Sequence, residues 1–185
     1  MSTRYAFFEG AIVPIEQARV SIMTHTLSYG TGCFEGLRGY WNGEEEQLYV
    51  FRMPEHYQRL HRSCRILHCQ LGHSVEQLCD VTVDLLRHEG FREDCYIRPI
   101  VYKAELGIGV RLHNLRDGFA MFSVPFGRYV EEEEGCRAGI SSWRRIDDNV
   151  IPARAKVIGS YVNSALCKTD AVLSGFDEAI VLSQD

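Results

Sequence analysis

The sequence predicts an α+β fold, and three observations predict it. Short strand-like runs set off by turn residues recur within the first fifty or so positions; two amphipathic helical stretches follow; further strands come after them. Strands, then two helices, then strands again is not the strict βαβ alternation of a parallel sheet. The 185 residues are enough for one good core, or for one domain and part of another.

Each element follows from local pattern. Tyr5 to Phe8 is an aromatic strand, and Glu9-Gly10 turns it into a second strand at Ala11 to Val13. Residues 20–35 mix β-branched, polar and glycine residues and fit no single element. Gly36 to Trp41 and Gln47 to Arg52 form two strands about the Asn42-Gly43 turn signal. Pro54 opens a helix whose apolar stripe is Tyr57, Leu60, Cys64 and Leu67. Ser74 caps a second helix, with Gln77 three residues on. Val75, Leu78, Thr82, Leu85 and Leu86 form its buried face, and Gly90 ends it. Strands follow at Cys95 to Lys103 and Phe119 to Val124. The polar stretch from Gly127 to Gly135, with the Glu131–Glu134 run, is an exposed connection. The expected division is therefore an N-terminal domain over 1–128, a connection over 129–136 and the start of a second domain over 137–185. In that second part a strand spans Ala138 to Trp143. A helix runs from Tyr161 or Asn163 to about Leu173 before Gly175, and the last strand is Ala179 to Leu182.

Composition narrows the function classes. A net charge of −5 and a pI near 5.8, with scattered Lys and Arg, argue against a nucleic-acid binder. No stretch approaches the roughly 20 apolar residues that span a bilayer, and MSTRYAFFEG does not read as a signal peptide. Seven cysteines, odd in number and irregular in spacing, fit reduced thiols in a cytoplasm better than a disulfide framework. The polar turn at the end of the sequence is expected to lead into a further element of a longer protein.

Several constellations invite chemistry. Gly30-Thr-Gly-Cys-Phe-Glu-Gly36 lacks the spacing of a nucleotide loop; a tight backbone passage beside a small pocket suits its glycines better. His61, Cys64, His68 and Cys69 match no standard metal set, so a core cysteine and solvated histidines are expected, with no metal. Glu131–Glu134 reads as a solvated linker. Lys156 stands alone among small and apolar residues, in Ala155-Lys-Val-Ile-Gly-Ser-Tyr161. Desolvation favours a neutral amine, a nucleophile toward carbonyls, although spacing alone favours a surface lysine entering a helix. Arg98, inside an apolar strand, needs an anionic partner: a structural carboxylate, or a phosphate or carboxylate ligand.

Five segments together resemble the branched-chain amino acid aminotransferases of the fold type IV pyridoxal-phosphate enzymes. They are Thr24-His25-x-Leu27-x-Tyr29-Gly30, Phe34-Glu35-Gly36-Leu37-Arg38, His56-x-x-Arg59-Leu60, Tyr96-Ile97-Arg98-Pro99 and Ala155-Lys156-x-x-Gly159-x-Tyr161. They occur in family order across nearly the whole chain. The resemblance implies a two-domain fold whose second domain is incomplete here. It implies pyridoxal 5'-phosphate as cofactor and amino-group exchange between branched-chain L-amino acids and 2-oxoglutarate. Lys156 would carry the cofactor aldehyde and shuttle the proton; Arg59 would bind the cofactor phosphate and Tyr161 its ring oxygen. Tyr29, Phe34 and Tyr129 would line the aliphatic pocket, Tyr96 would help hold the α-carboxylate, and Arg98 would take glutamate's distal carboxylate. The sites would form in a homodimer or higher oligomer, with the loop around Gly107-Ile-Gly-Val110 reaching a neighbour's pocket. The family's acidic partner of the pyridine nitrogen follows the stretch ending at Asp185, so these residues alone are expected to be inactive. The alternatives are a D-amino acid transaminase or aminodeoxychorismate lyase of the same fold, or a cofactor-free interaction domain.

Overall fold

Alternating side chains and tight turns build an antiparallel sheet, and a computed structural model describes it for residues 4–127 and 135–184. Strand β1 (Tyr5–Phe8) folds back on β2 (Ala11–Pro14). The turn between them places both Glu9 and Gly10 at positive φ. Residues 20–35, unassignable by pattern, form a short helix α1 (His25–Tyr29) and a three-residue strand β3 (Gly32–Phe34). Pieces this short carry too few residues for a period to show. Strands β4 (Leu37–Asn42) and β5 (Gln47–Val50) form a hairpin. Its loop is held by Asn42, whose side-chain oxygen accepts the backbone N–H groups of Glu44 and Glu45.

Helix α2 (Met53–Ile66) carries Pro54 in its first turn, where no N–H is required. Helix α3 (Val75–Glu89) opens with a complete capping box. The Ser74 hydroxyl accepts the Gln77 N–H at 3.2 Å, and the Gln77 side chain accepts the Ser74 N–H at 2.8 Å. Gly90, at φ 66°, closes the helix. Strands β6 (Cys95–Lys103) and β7 (Asp117–Pro125) pair along nine positions, the longest register in the fold. β7 begins two residues before the expected Phe119. Its first residue, Asp117, lies opposite Lys103 and pairs with it at 2.9 Å. The ammonium of Lys103, buried at the end of β6, also donates to the His68 carbonyl at 2.6 Å.

The sheet order is β2-β1-β7-β6-β4-β5, with β3 also pairing with β6. Helices α2 and α3 cover one face. Leu37, Ile97, Val101 and Met121 of the sheet pack there with Tyr57, Leu60, Leu78 and Leu85 of the helices. Alternation along β6 sends Cys95, Ile97, Pro99 and Val101 into that core and leaves Tyr96, Arg98 and Ile100 on the other face. Farther on, β8 (Ala138–Ile140) and β9 (Glu178–Ile180) pair in parallel, joined through helix α4 (Tyr161–Leu173). A parallel pair needs such a crossover. Both strands are shorter than the sequence reading allowed. None of the described helices is long and apolar enough to cross a membrane. The connection expected at 129–136 lies mostly outside the described residues, as does the Glu131–Glu134 run.

The segment 155–160 is docked on the sheet by backbone. Phe34 N donates to the Lys156 carbonyl at 3.1 Å, Ile158 N to Gly32 O at 2.8 Å and Gly159 N to Gly30 O at 3.1 Å. A Cβ at Gly30 would meet the Gly159 Cα at 2.7 Å, and Gly30 itself sits at φ +66°.

Two stability outcomes follow. Gly30→Ala must bear both the left-handed backbone and the collision, and is expected to lower unfolding free energy by about 1–3 kcal/mol. Ser74→Ala loses the cap and is expected to cost about 1 kcal/mol. Urea titrations of the intact protein followed by circular dichroism measure both. A Gly30→Ala midpoint equal to wild type would show that the two backbones do not need to touch.

Candidate active site

The docked segment brings Lys156 beside residues from three other elements. Its ammonium donates to the Tyr161 hydroxyl at 2.7 Å and lies 5.1 Å from the Phe34 ring centre. Tyr161, the first residue of α4, packs its ring on Phe34 with centroids 4.8 Å apart. Arg98 reaches the same aromatic residue from β6, its guanidinium carbon 4.2 Å from the Phe34 centroid, and its Nε donates to the Tyr96 hydroxyl at 3.1 Å. Phe34, Tyr96, Arg98, Lys156 and Tyr161 are therefore one cluster. Two cations share one aromatic ring, and among the described residues neither has a carboxylate partner. The structural carboxylate that a strand-borne Arg98 was expected to need is absent from the described residues. A half-buried position and two aromatic faces take its place.

Arg59 projects from α2 toward the same region, within electrostatic reach of the Tyr161 hydroxyl. Its partner was not foreseen. Glu35, completely buried, accepts Arg59 Nε and Nη2 at 2.6 Å each, and the His56 Nδ1–H at 2.9 Å. Burial alone pushes the Glu35 carboxyl up. The hydrogen bonds from Arg59 and His56 outweigh it, and the group sits below the ordinary carboxylate value. The bond to Glu35 in turn raises Arg59 further above neutrality. Phe-Glu-Gly and His-x-x-Arg both stood among the sequence motifs; the only available signal for their pairing was the coincidence of an acid and a base in two segments without assigned partners.

Tyr29 lies elsewhere. Its hydroxyl accepts the Gly109 N–H at 3.0 Å, while the buried His25 bonds the Gly109 carbonyl through Nε2 at 2.6 Å. The loop so gripped exposes Ile108 fully and Val110 by 77%. Tyr29 also borders a cavity of about 740 Å³, with Gly30, Ile100, Phe122, Ile158 and Val162. No charged side chain among the described residues lines that cavity, whereas the cluster around Lys156 brings two cations and two hydroxyl groups together. Tyr129, expected in the aliphatic pocket, lies outside the described residues. Cys64 and Cys69 are buried, His68 is exposed, and no group of three or more His, Cys, Asp or Glu among the described residues could hold a metal.

The amine, guanidinium and hydroxyl groups here form a donor set suited to a phosphate-bearing aldehyde: an amine for the carbonyl, cations for the phosphate and an aromatic floor. Comparisons with known proteins place the fold and the family. Residues 32–185 match the family model for class IV amino-transferases. A probable branched-chain-amino-acid aminotransferase of Aquifex aeolicus is 52% identical over 182 residues, covering 98% of this chain. The chain spans 58% of that relative's length. The crystal structure of a branched-chain aminotransferase from Thermoproteus uzoniensis with norvaline superposes with a TM-score of 0.94 at 39% identity, covering 99% of this chain and 61% of that one. A branched-chain amino acid aminotransferase from Thermobaculum terrenum in its PLP form gives a TM-score of 0.90 at 32% identity, covering 98% of this chain and 59% of its own. With the Lys156 cluster seated on a sheet of this topology, the chain belongs to the class IV aminotransferases and has their α+β, fold type IV architecture.

Proposed function

We propose that the intact protein exchanges the amino group between branched-chain L-amino acids and 2-oxoglutarate, using pyridoxal 5'-phosphate. The observation that carries this reading is the pair of cations, Lys156 and Arg98, against the single Phe34 ring. An amine and a guanidinium against one apolar ring suit a substrate with a reacting carbon, an aliphatic stem and an optional second carboxylate.

Arg59, Lys156 and Tyr161 would hold the cofactor, at its phosphate, aldehyde and ring oxygen respectively. When bound, pyridoxal phosphate supplies the electron sink. Lys156 contributes the amine that carries the aldehyde and moves a proton at Nζ. Tyr161, already bonded to that amine, orients it. Phe34 keeps water from one side and accepts the aliphatic side chain, with Tyr29 and Tyr129 as the further walls. Tyr96 shares the α-carboxylate. Arg98 has Nε committed to Tyr96; among the described residues its terminal N–H groups take no hydrogen-bond acceptor, and they would take a distal carboxylate. The proposal includes a homodimer or higher oligomer in a cytoplasmic setting, with a domain boundary at 129–136. The exposed Ile108 and Val110, beside exposed Ile22 and Leu27, support a surface that another copy covers.

Two outcomes test this reading in the intact protein. Borohydride reduction in the presence of pyridoxal phosphate should fix the cofactor on Lys156; a peptide map showing the label on Lys103 or Lys168 would exclude the assignment. Arg98→Ala should slow the glutamate half-reaction by about ten- to hundredfold, the scale of one hydrogen bond to a charged group, and leave the leucine half-reaction nearly intact. Single-turnover kinetics read both, and equal losses would assign Arg98 to the α-carboxylate or to structure.

A further inference from the structure

We propose that Glu35 is the positioning residue of the phosphate site: it fixes the Arg59 guanidinium in one plane and registers it against Lys156. This rests on the reading of Arg59 as a phosphate ligand. A guanidinium has five N–H groups. Glu35 takes two of them side-on, through Nε and Nη2, each at 2.6 Å. A two-point contact of this kind removes the freedom of the arginine plane and aims the three remaining N–H groups away from the carboxylate. The burial is asymmetric in the sense such an anchor requires: the Glu35 side chain is 0% exposed, while that of Arg59 is 46% exposed.

Glu35 is itself held in register with the amine. It lies between β3 and β4, and its backbone N–H donates to the Pro99 carbonyl at 3.0 Å. The preceding residue, Phe34, donates to the Lys156 carbonyl at 3.1 Å. Two consecutive residues thus tie down the arginine side chain and the lysine main chain. A phosphorylated aldehyde has a fixed span between its two ends, so a fixed span between Arg59 and Lys156 favours it over the free ligand's other poses.

The carboxylate also has an electrostatic effect that points the other way. It cancels the Arg59 charge, and His56 shares Oε2. If charge governed the site, removing Glu35 would strengthen anion binding. If direction governs it, removal weakens binding. The two expectations have opposite signs.

The test measures equilibrium affinity of the intact apoprotein for pyridoxal phosphate and for pyridoxal, by absorbance and tryptophan fluorescence. Glu35→Gln is expected to weaken pyridoxal phosphate about tenfold, the scale of one hydrogen bond to a charged group, and to leave pyridoxal unchanged. Added to Arg59→Ala, it is expected to cost nothing further, because it acts through the arginine. Glu35→Asp keeps the charge but withdraws the carboxylate by one methylene, and is expected to lose phosphate affinity too. It serves if the glutamine variant fails to fold. Wild-type or tighter binding of pyridoxal phosphate by the glutamate variants would overturn the proposal, as would equal losses for both ligands or a full further loss in the Arg59→Ala background. Unchanged binding in Arg59→Ala alone would instead overturn the phosphate reading beneath it. Loss in Arg59→Ala with none in the Glu35 variants would overturn only the role of Glu35.

Discussion

The contact on which the site depends is between two backbones with no side chain between them. Gly30 and Gly159 come close enough that a methyl group on Gly30 would not fit. From that contact follow the hydrogen bonds of Gly159, Ile158 and Phe34, and from those the height of Lys156 above the sheet. Lys156 therefore owes its position to a main-chain ladder. Its own side chain is left free to bond Tyr161. An amine held this way can exchange partners without loosening the fold, because none of the anchoring bonds runs through the amine.

The sheet sorts stability and chemistry by face. Along β6 one set of alternate residues enters the core beneath α2 and α3, and the other set supplies Tyr96 and Arg98. A one-residue slip would exchange the sets and bury the arginine. The nine-pair register with β7 and the buried Lys103–Asp117 pair at its end resist that slip. Removing Asp117 alone would leave the buried Lys103 ammonium without its counter-charge, held only by the His68 carbonyl, which costs more than the pair stabilises.

Much of this could be read from sequence because period and punctuation are local. The capping box of α3, the stripe of α2 and the alternation that turned Arg98 away from Ile97 each needed only a few neighbouring residues. Lys156 and its companions became legible through five ordered segments rather than through any one. What could not be read arises only on folding. Glu35 sits in a short motif with no period of its own; its burial requires β3 and β4 both to lie against β6 while α2 brings Arg59 and His56 over it. The contact between Gly30 and Gly159 joins distant parts of the chain. Residues 20–35 showed no period because α1 and β3 are each too short to complete one.

The loop beyond β6 shows the same economy in another form. His25 and Tyr29 hold both the carbonyl and the amide of Gly109, while Ile108 and Val110 face outward. A flexible loop that closes on another surface must surrender its conformational freedom at that moment, and the loss weakens the encounter. Here the freedom is already spent during folding. Two ring systems on a single short helix thus convert an apolar loop from a floppy tether into a fixed template.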